Sequence, residues 1–242
     1  MVAIPSAQSP REPKYYRVKR HLLALVESME PGSLLPTERD LTQELNTSRT
    51  TVRRALSELV GEGRLVRRQG SGTYVAEPKI TWSLEMTSFT EQAAVTGLSA
   101  GTQLLHAGRE WAEEAVAQRL GVEPGAQVYC IERLRLVNDV PMAIETSYLA
   151  AARFSGLIGH LRRTDSLYRV LEEVYATTPV TAEETIETAA ASPREAQLLQ
   201  TDTGAPILML SRHTLDADGE PIEWVRSWYR GDRYRFVTRL NA

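Results

Sequence analysis

The sequence predicts an α+β protein of two domains, a small helical one closed by a β-hairpin and a larger mixed α/β one. Three observations carry that expectation. Short amphipathic helices fill the first seventy-odd residues and end in a Gly-rich hairpin. The charge divides at the same place: residues 1–77 hold 12 Lys/Arg and 9 Asp/Glu, a net of +3, whereas the remainder nets −6 within an overall −3. Beyond that point the stretch that begins at Ala117 recurs, in related form, from Ala196.

Composition narrows the class. Hydrophobic content of 42% and charged content of 24% are ordinary for a folded globular chain. No apolar run approaches the roughly 18 residues of a membrane span, so no membrane partner is expected. The opening MVAIPSAQSPREP lacks a basic n-region and an apolar h-region. It reads as a disordered tail over residues 1–13 rather than a signal peptide. Cys130 is the only cysteine, which excludes an intrachain disulfide and a cysteine-cluster zinc site. Within VYCIERL it reads as a small buried strand residue, and the cysteine usage points to the cytoplasm.

The first domain is expected over residues 14–77. YYRVKRHLLALVESM is helical, with Val18, Leu22, Leu25 and Val26 on one face, and PGSLLP interrupts it. TERDLTQEL makes a short second helix, with Thr37 as N-cap, Asp40 in its first turn and Leu41 and Leu45 inward. Asn46 tolerates a left-handed turn, and Ser48 caps a third helix whose Val52, Ala55, Leu56, Leu59 and Val60 fall on one face. Arg49, Arg53 and Arg54 crowd the start of that helix, where the macrodipole disfavours cations. An anion is therefore expected against it. GEGRLVRRQGSGTYVAEP then supplies strand, Gly-rich tip and strand, and the whole is a winged helix-turn-helix. In such a unit the third helix enters the major groove. Arginine there can bind guanine bidentately, and Ser48, Thr50, Thr51 and Ser57 can reach bases or phosphates. Arg64, Arg67 and Arg68 line the wing, while Gly70 and Gly72 let its backbone come close to DNA.

A linker is expected over 78–86 and the second domain over 87–242. AQRLGVEPGAQVYCIERLRL aligns with AQLLQTDTGAPILMLSRHTL, matching Ala117 to Ala196, Leu120 to Leu199, Gly125 to Gly204 and Arg133 to Arg212. After one inserted residue, Pro141 meets Pro221 and Ser147-Tyr148 meets Ser227-Trp228. Each copy reads helix, Gly-bearing turn, strand, turn, strand. Two copies suit one sheet combining related hairpins, with room for a ligand between them. Thr87, Ser88, Thr164, Asp165 and Ser166 place hydroxyls and a carboxylate at helix starts, where free N–H groups attract anions or the side chains simply cap. Arg133 and Arg135 share one strand face, so they either form a surface ladder with glutamates or need a phosphate or carboxylate. A two-residue Asn138-Asp139 turn would pair Arg133 with Ile144 and turn Glu145 to the far face; a bulge or three-residue loop would bring Glu145 opposite.

PTERDL…SRTTVRRALSELVGEGRLVRRQGSGTYV resembles the DNA-binding domain of GntR-type bacterial transcription regulators. The resemblance implies that Arg39, Arg49 and Gly70 meet bases, beside Ser48, Thr50, Thr51 and Arg53. TSFTE…RLRLVNDVPMAIETSYL…SLY…PIEWVRSWYRGDRYRF is similar to the effector domain of the HutC branch, which has the chorismate-lyase-like (UTRA) fold. Within it, the chain resembles the amino-sugar-responsive regulators of the NagR and DasR kind. What this implies is a repressor of amino-sugar uptake and catabolism, with glucosamine 6-phosphate or its N-acetyl form as effector. The phosphate would meet Ser88, Phe89, Thr90, Arg133, Arg135, Ser166 and Tyr168, with Leu134 and Leu167 among the effector-binding residues; the sugar would meet Glu145, Glu223 and Tyr229. The resemblance also favours the register that sets Glu145 opposite Arg133.

An enzyme is the rival reading, since Glu145 and Glu223 could serve as paired carboxylates. Against it, His21, His106, His160 and His213 are scattered, no nucleophile or metal cluster is legible, and a fused DNA-binding domain suits a sensor. No cofactor or metal is expected. A homodimer reading an inverted-repeat operator is, because one winged helix covers only a short site. Arg230-Gly231-Asp232 reads as a turn between strands.

Overall fold

The computed structural model describes residues 14–68, 70–161, 163–164 and 166–240. The N-terminal tail, Asp165 and the Arg68 side chain lie outside the described residues. The chain divides into two compact units, Met1–Pro78 and Lys79–Ala242.

In the first unit α1 (Lys14–Ser28), α2 (Glu38–Glu44) and α3 (Arg49–Gly61) pack around one core, and β1 (Leu65–Arg68) pairs antiparallel with β2 (Gly72–Val75). Leu22, Leu41, Val52, Leu56, Leu59 and Leu65 bury together, so the periodic apolar positions become the core. Thr37 closes a capping box with Asp40, and Ser48 Oγ accepts from Thr51 N at 3.2 Å. Asn46 sits at φ 41 between the two short helices. The 33–35 segment joins the wing, Leu35 N donating to Thr73 O at 2.8 Å.

The second unit begins inside the segment read as a linker: β3 (Ile80–Ser83) pairs parallel with β10 (Tyr234–Val237). Trp82 buries against Phe89, Tyr229 and Tyr234 in edge-on contacts, which ties this strand into the domain core. After α4 (Phe89–Val95) come β4 (Ala100–Trp111), α5 (Glu114–Leu120), β5 (Gln127–Val137) and β6 (Val140–Ala150). Then follow α6 (Leu157–Leu161), α7 (Leu167–Tyr175), β7 (Thr181–Ala190), α8 (Pro193–Leu199), β8 (Pro206–Leu215) and β9 (Pro221–Arg230). Six strands make one sheet in the order β4-β5-β6-β9-β8-β7. Among the described residues, no helix is long and apolar enough to cross a membrane.

The internal repeat is visible as topology and is longer than the aligned segment. β4-α5-β5-β6 and β7-α8-β8-β9 are the two copies; Trp111 pairs with Gln127 just as their equivalents, Ala190 and Pro206, pair with each other. Backbone bonds repeat with it: Gly125 N donates to Ala112 O at 3.0 Å and Gly204 N to Ala191 O at 2.8 Å. β6 and β9 meet antiparallel at the centre, where Thr146 faces Arg226, its own equivalent after the one-residue insertion. An approximate two-fold axis therefore passes through that pair. The helices lie beside the axis, α5 packing with Val128 and Trp224, and α8 with Ile207 and Ile144.

The hairpin register resolves through both alternatives at once. Asn138 (φ 48) and Asp139 (φ 61) form a tight two-residue turn with left-handed backbone at both positions. A bulge follows, since Leu136 pairs with Pro141 but Arg135 with Ala143, leaving Met142 extra. The second copy bulges at the equivalent residue, Ile222, between the Thr214–Glu223 and Leu215–Pro221 pairs.

Candidate functional site

On the winged helix, Arg39, Ser48, Arg49, Thr50, Arg53 and Gly70 are exposed, and Thr51 is half-buried. The arginines at the start of α3 have different neighbours. Arg53 reaches Glu38 of α2 at 3.5 Å, and Arg54 reaches Glu58 at 3.4 Å while stacking over Tyr15 at 4.3 Å. Among the described residues, Arg39 and Arg49 have no ion-pair partner. Of the arginines expected to meet DNA, these two therefore differ from Arg53, whose charge Glu38 already answers. Ser48 and Thr51 hydroxyls bond each other at 2.8 Å as part of the cap. On the wing, Gly70 has φ +72 with open space around it. Gly72 has a packing reason that the sequence does not announce: its φ is +129, and a Cβ there would meet Leu34 Cδ1 at 2.7 Å.

In the larger domain a cavity of about 70 Å³ opens where the starts of α4 and α7 approach one face of the sheet. The bulge at Met142 decides what lies on its floor. It sets Arg133 opposite Glu145, and alternation then puts Arg133, Arg135, Glu145, Glu223, Val225, Ser227 and Tyr229 on the cavity side. Thr87, Ser88, Phe89, Ser166, Leu167 and Tyr168 close it from above. Two of the sequence-assigned residues fall elsewhere. Leu134 faces the opposite side of β5 and packs with α8, because neighbours on a strand point apart. Thr90 lies behind the lining, with its Oγ1 accepting from Arg135 Nη2 at 3.4 Å.

The electrostatics are unusual for a domain interior. Arg133 is 5% exposed, Arg135 2% and Glu223 2%. Arg133 Nη2 pairs with Glu145 Oε1, and Arg135 Nε lies 3.8 Å from Glu145 Oε2. Arg135 also donates to Thr102 Oγ1 at 2.7 Å, with its guanidinium 4.4 Å from the Phe89 ring centroid. Arg212, the repeat equivalent of Arg133, finds Val225 where Arg133 finds Glu145. It turns instead to Glu184 of β7, in two bonds of 3.0 and 3.1 Å. Three guanidiniums thus converge on one small space. Burial pushes the Glu145 carboxyl upward, but Arg133, Arg135 and Arg212 outweigh it and hold it below the usual range. Burial raises Glu223, and the Glu145 charge reinforces this against the opposing hydrogen bond from Tyr168. Arg133 Nε and Thr87 Oγ1 are buried with no hydrogen-bond partner among the described residues.

The helix starts serve mainly as caps. Ser88 Oγ accepts from Glu91 N at 3.2 Å and Ser88 N donates to Glu91 Oε2 at 2.8 Å; Ser166 Oγ accepts from Arg169 N at 3.3 Å. The cations that face the cavity come from the sheet. Arg212, Glu184 and Gln92 line it too, although the sequence does not single them out as effector residues. The Arg133–Arg212 match in the repeat is the signal that could have found Arg212. Arg230 and Asp232 close a turn on each other at 3.1 and 2.6 Å.

Residues 14–75 match the model for bacterial regulatory proteins of the gntR family, and residues 96–235 match the UTRA domain. The HTH-type transcriptional repressor NagR of Bacillus subtilis is 37% identical over 234 residues, 95% of either chain. The HTH-type transcriptional repressor PhnF of Mycolicibacterium smegmatis is 38% identical, covering 97% of this chain and 95% of that one. A histidine utilization repressor of Pseudomonas putida is 32% identical over 95% of this chain and 92% of its own. The crystal structure of PhnF superposes with a TM-score of 0.65 at 38% identity, covering 93% of this chain and 99% of that chain.

Proposed function

Because the chain belongs to the gntR family of bacterial regulatory proteins, in its HutC-type branch with a UTRA domain, it is a DNA-binding transcriptional repressor, and we propose that a phosphorylated amino sugar is its effector. The observation that carries this reading is the buried pair Arg133 and Arg135 beneath a cavity where Arg133 Nε and Thr87 Oγ1 have no hydrogen-bond partner among the described residues. Buried cations and donors in that state are completed by an anion with several acceptor oxygens.

In the free protein Glu145 answers Arg133. A phosphate competes for the same guanidinium, and the carboxylate it releases then faces the sugar. Glu223 and Tyr229 add a second polar wall for hydroxyl and amino or acetamido groups. The similarity to NagR supports glucosamine 6-phosphate or its N-acetyl form as that ligand. The effector acts as an allosteric ligand: it shifts operator affinity only by its differential affinity for two arrangements of the chain. The operator is an inverted repeat read by a homodimer, for which light scattering should give twice the 27.0 kDa chain mass. A monomer both free and with operator would overturn that part.

A thermal-shift series tests the effector. A ligand at 100 times its Kd adds about 2.7 kcal/mol to the native state. Glucosamine 6-phosphate or its N-acetyl form should raise the melting temperature well beyond inorganic phosphate or the unphosphorylated sugars. No shift with either, beside a clear shift with another organic phosphate, would move the assignment to that compound.

A further inference from the structure

A second cluster lies on the opposite face of the sheet, the side of α5 and α8, where Cys130 shares a strand face with Val128 and Leu134. His106, Gly108 and Glu110 alternate along one face of β4, and Gly108 stands directly opposite Cys130 on β5. Two residues four apart on a strand have Cα atoms about 13 Å apart, yet His106 Nε2 and Glu110 Oε1 meet at 3.0 Å. They lean together over the glycine: a Cβ at Gly108 would lie 3.1 Å from His106 Nε2. The imidazole nitrogen, the carboxylate oxygen and Cys130 Sγ all lie within 4.8 Å of one another. Glu132, the next carboxylate along β5, is held by Arg194 in two bonds of 2.9 and 2.6 Å and takes no part.

We propose that His106, Glu110 and Cys130 bind a thiophilic divalent cation of the zinc class. One nitrogen, one oxygen and one sulfur donor match zinc's ligand set, and the solvent side leaves a fourth position for water. Calcium and magnesium take oxygen ligands and are disfavoured by the thiol. On binding, the Cys130 S–H gives its proton to solvent and the thiolate bonds the metal; no oxidant or reductant is needed. The bound ion would tie the edge strand β4 to β5. The sequence alone conceals this arrangement because the histidine and cysteine are joined only by strand register.

The test is a cobalt titration of the full-length, chelator-stripped protein followed by absorption. One Co²⁺ per chain should bind with a thiolate-to-cobalt band in the near ultraviolet, and Zn²⁺ should displace it. His106→Ala, at an exposed position, should weaken binding by more than the roughly 10- to 100-fold that losing an outer-sphere partner costs. Gly108→Ala should weaken it by displacing the imidazole, and Cys130→Ser should abolish the band, with circular dichroism verifying the fold. Absence of a thiolate band in the wild-type protein would overturn the proposal. So would wild-type cobalt affinity in folded His106→Ala.

Discussion

Arg133 of β5 and Glu145 of β6 stand directly opposite each other because Met142 is an extra residue in β6. Their pairing is buried, so removing one partner leaves the other charge uncompensated. Glu145→Gln should cost about 3–5 kcal/mol in the free protein at neutral pH. The sign with pH follows from the lowered carboxyl. The Glu145 contribution is fully present above the ordinary value of 4.5 and fades as pH falls through its depressed folded value. Urea unfolding at pH 7 and at pH 3.5 should therefore show a smaller difference between variant and wild type in acid. An equal difference at both would contradict the pairing.

Glu223 should behave oppositely. Its carboxyl is raised above 4.5, so the folded state holds that proton more tightly than the unfolded chain does. Wild-type stability then carries a penalty that grows as pH rises from the ordinary value through the raised one. Glu223→Gln, which keeps an acceptor for Tyr168 without the charge, should gain stability relative to wild type between pH 4.5 and pH 8. Denaturant midpoints across that range measure it, and a relative loss on raising the pH would reject the assignment.

On the DNA side, Arg49 and Arg53 should separate. Arg49 has no ion-pair partner among the described residues, whereas Arg53 lies 3.5 Å from Glu38. Arg49→Ala should cost about 1–3 kcal/mol per half-site and relax base preference there, with little change in the stability of the free protein. Arg53→Ala should weaken operator and unrelated DNA alike. Titrations at fixed salt with both DNAs decide this, and unchanged affinity and selectivity for Arg49→Ala would remove it as a base reader.

The winged helix is legible almost residue by residue, because its core follows helical periodicity and its caps are local: Ser48, Thr37 and Asn46 act within a single turn of chain. The floor of the cavity is legible only in composition. Which residues face it depends on one bulge at Met142, and no local propensity announces that extra residue. The resemblance supplies the register that the turn alone would place wrongly. Leu134 shows the limit of carrying over a contiguous motif, since strand alternation turns it toward α8. β3 is hidden in the sequence because its partner, β10, lies near the far end of the chain and pairs parallel to it. The repeat is legible from α5 onward, but β4 and β7 carry the same topology with little matching sequence.

A phosphorylated amino sugar held by Arg133 and Arg135 should control operator affinity. The most direct measurement titrates operator DNA with wild type, Arg133→Ala and Arg135→Ala, each with and without glucosamine 6-phosphate and its N-acetyl form. Couplings between allosteric sites run about 1–3 kcal/mol, so wild-type affinity should change roughly 5- to 150-fold with at least one of the two sugar phosphates. Both variants, once circular dichroism shows them folded, should bind operator as wild type does in the absence of effector and lose that change. A wild type indifferent to both sugar phosphates, or variants that respond as it does, would show that these arginines and this ligand do not govern DNA binding.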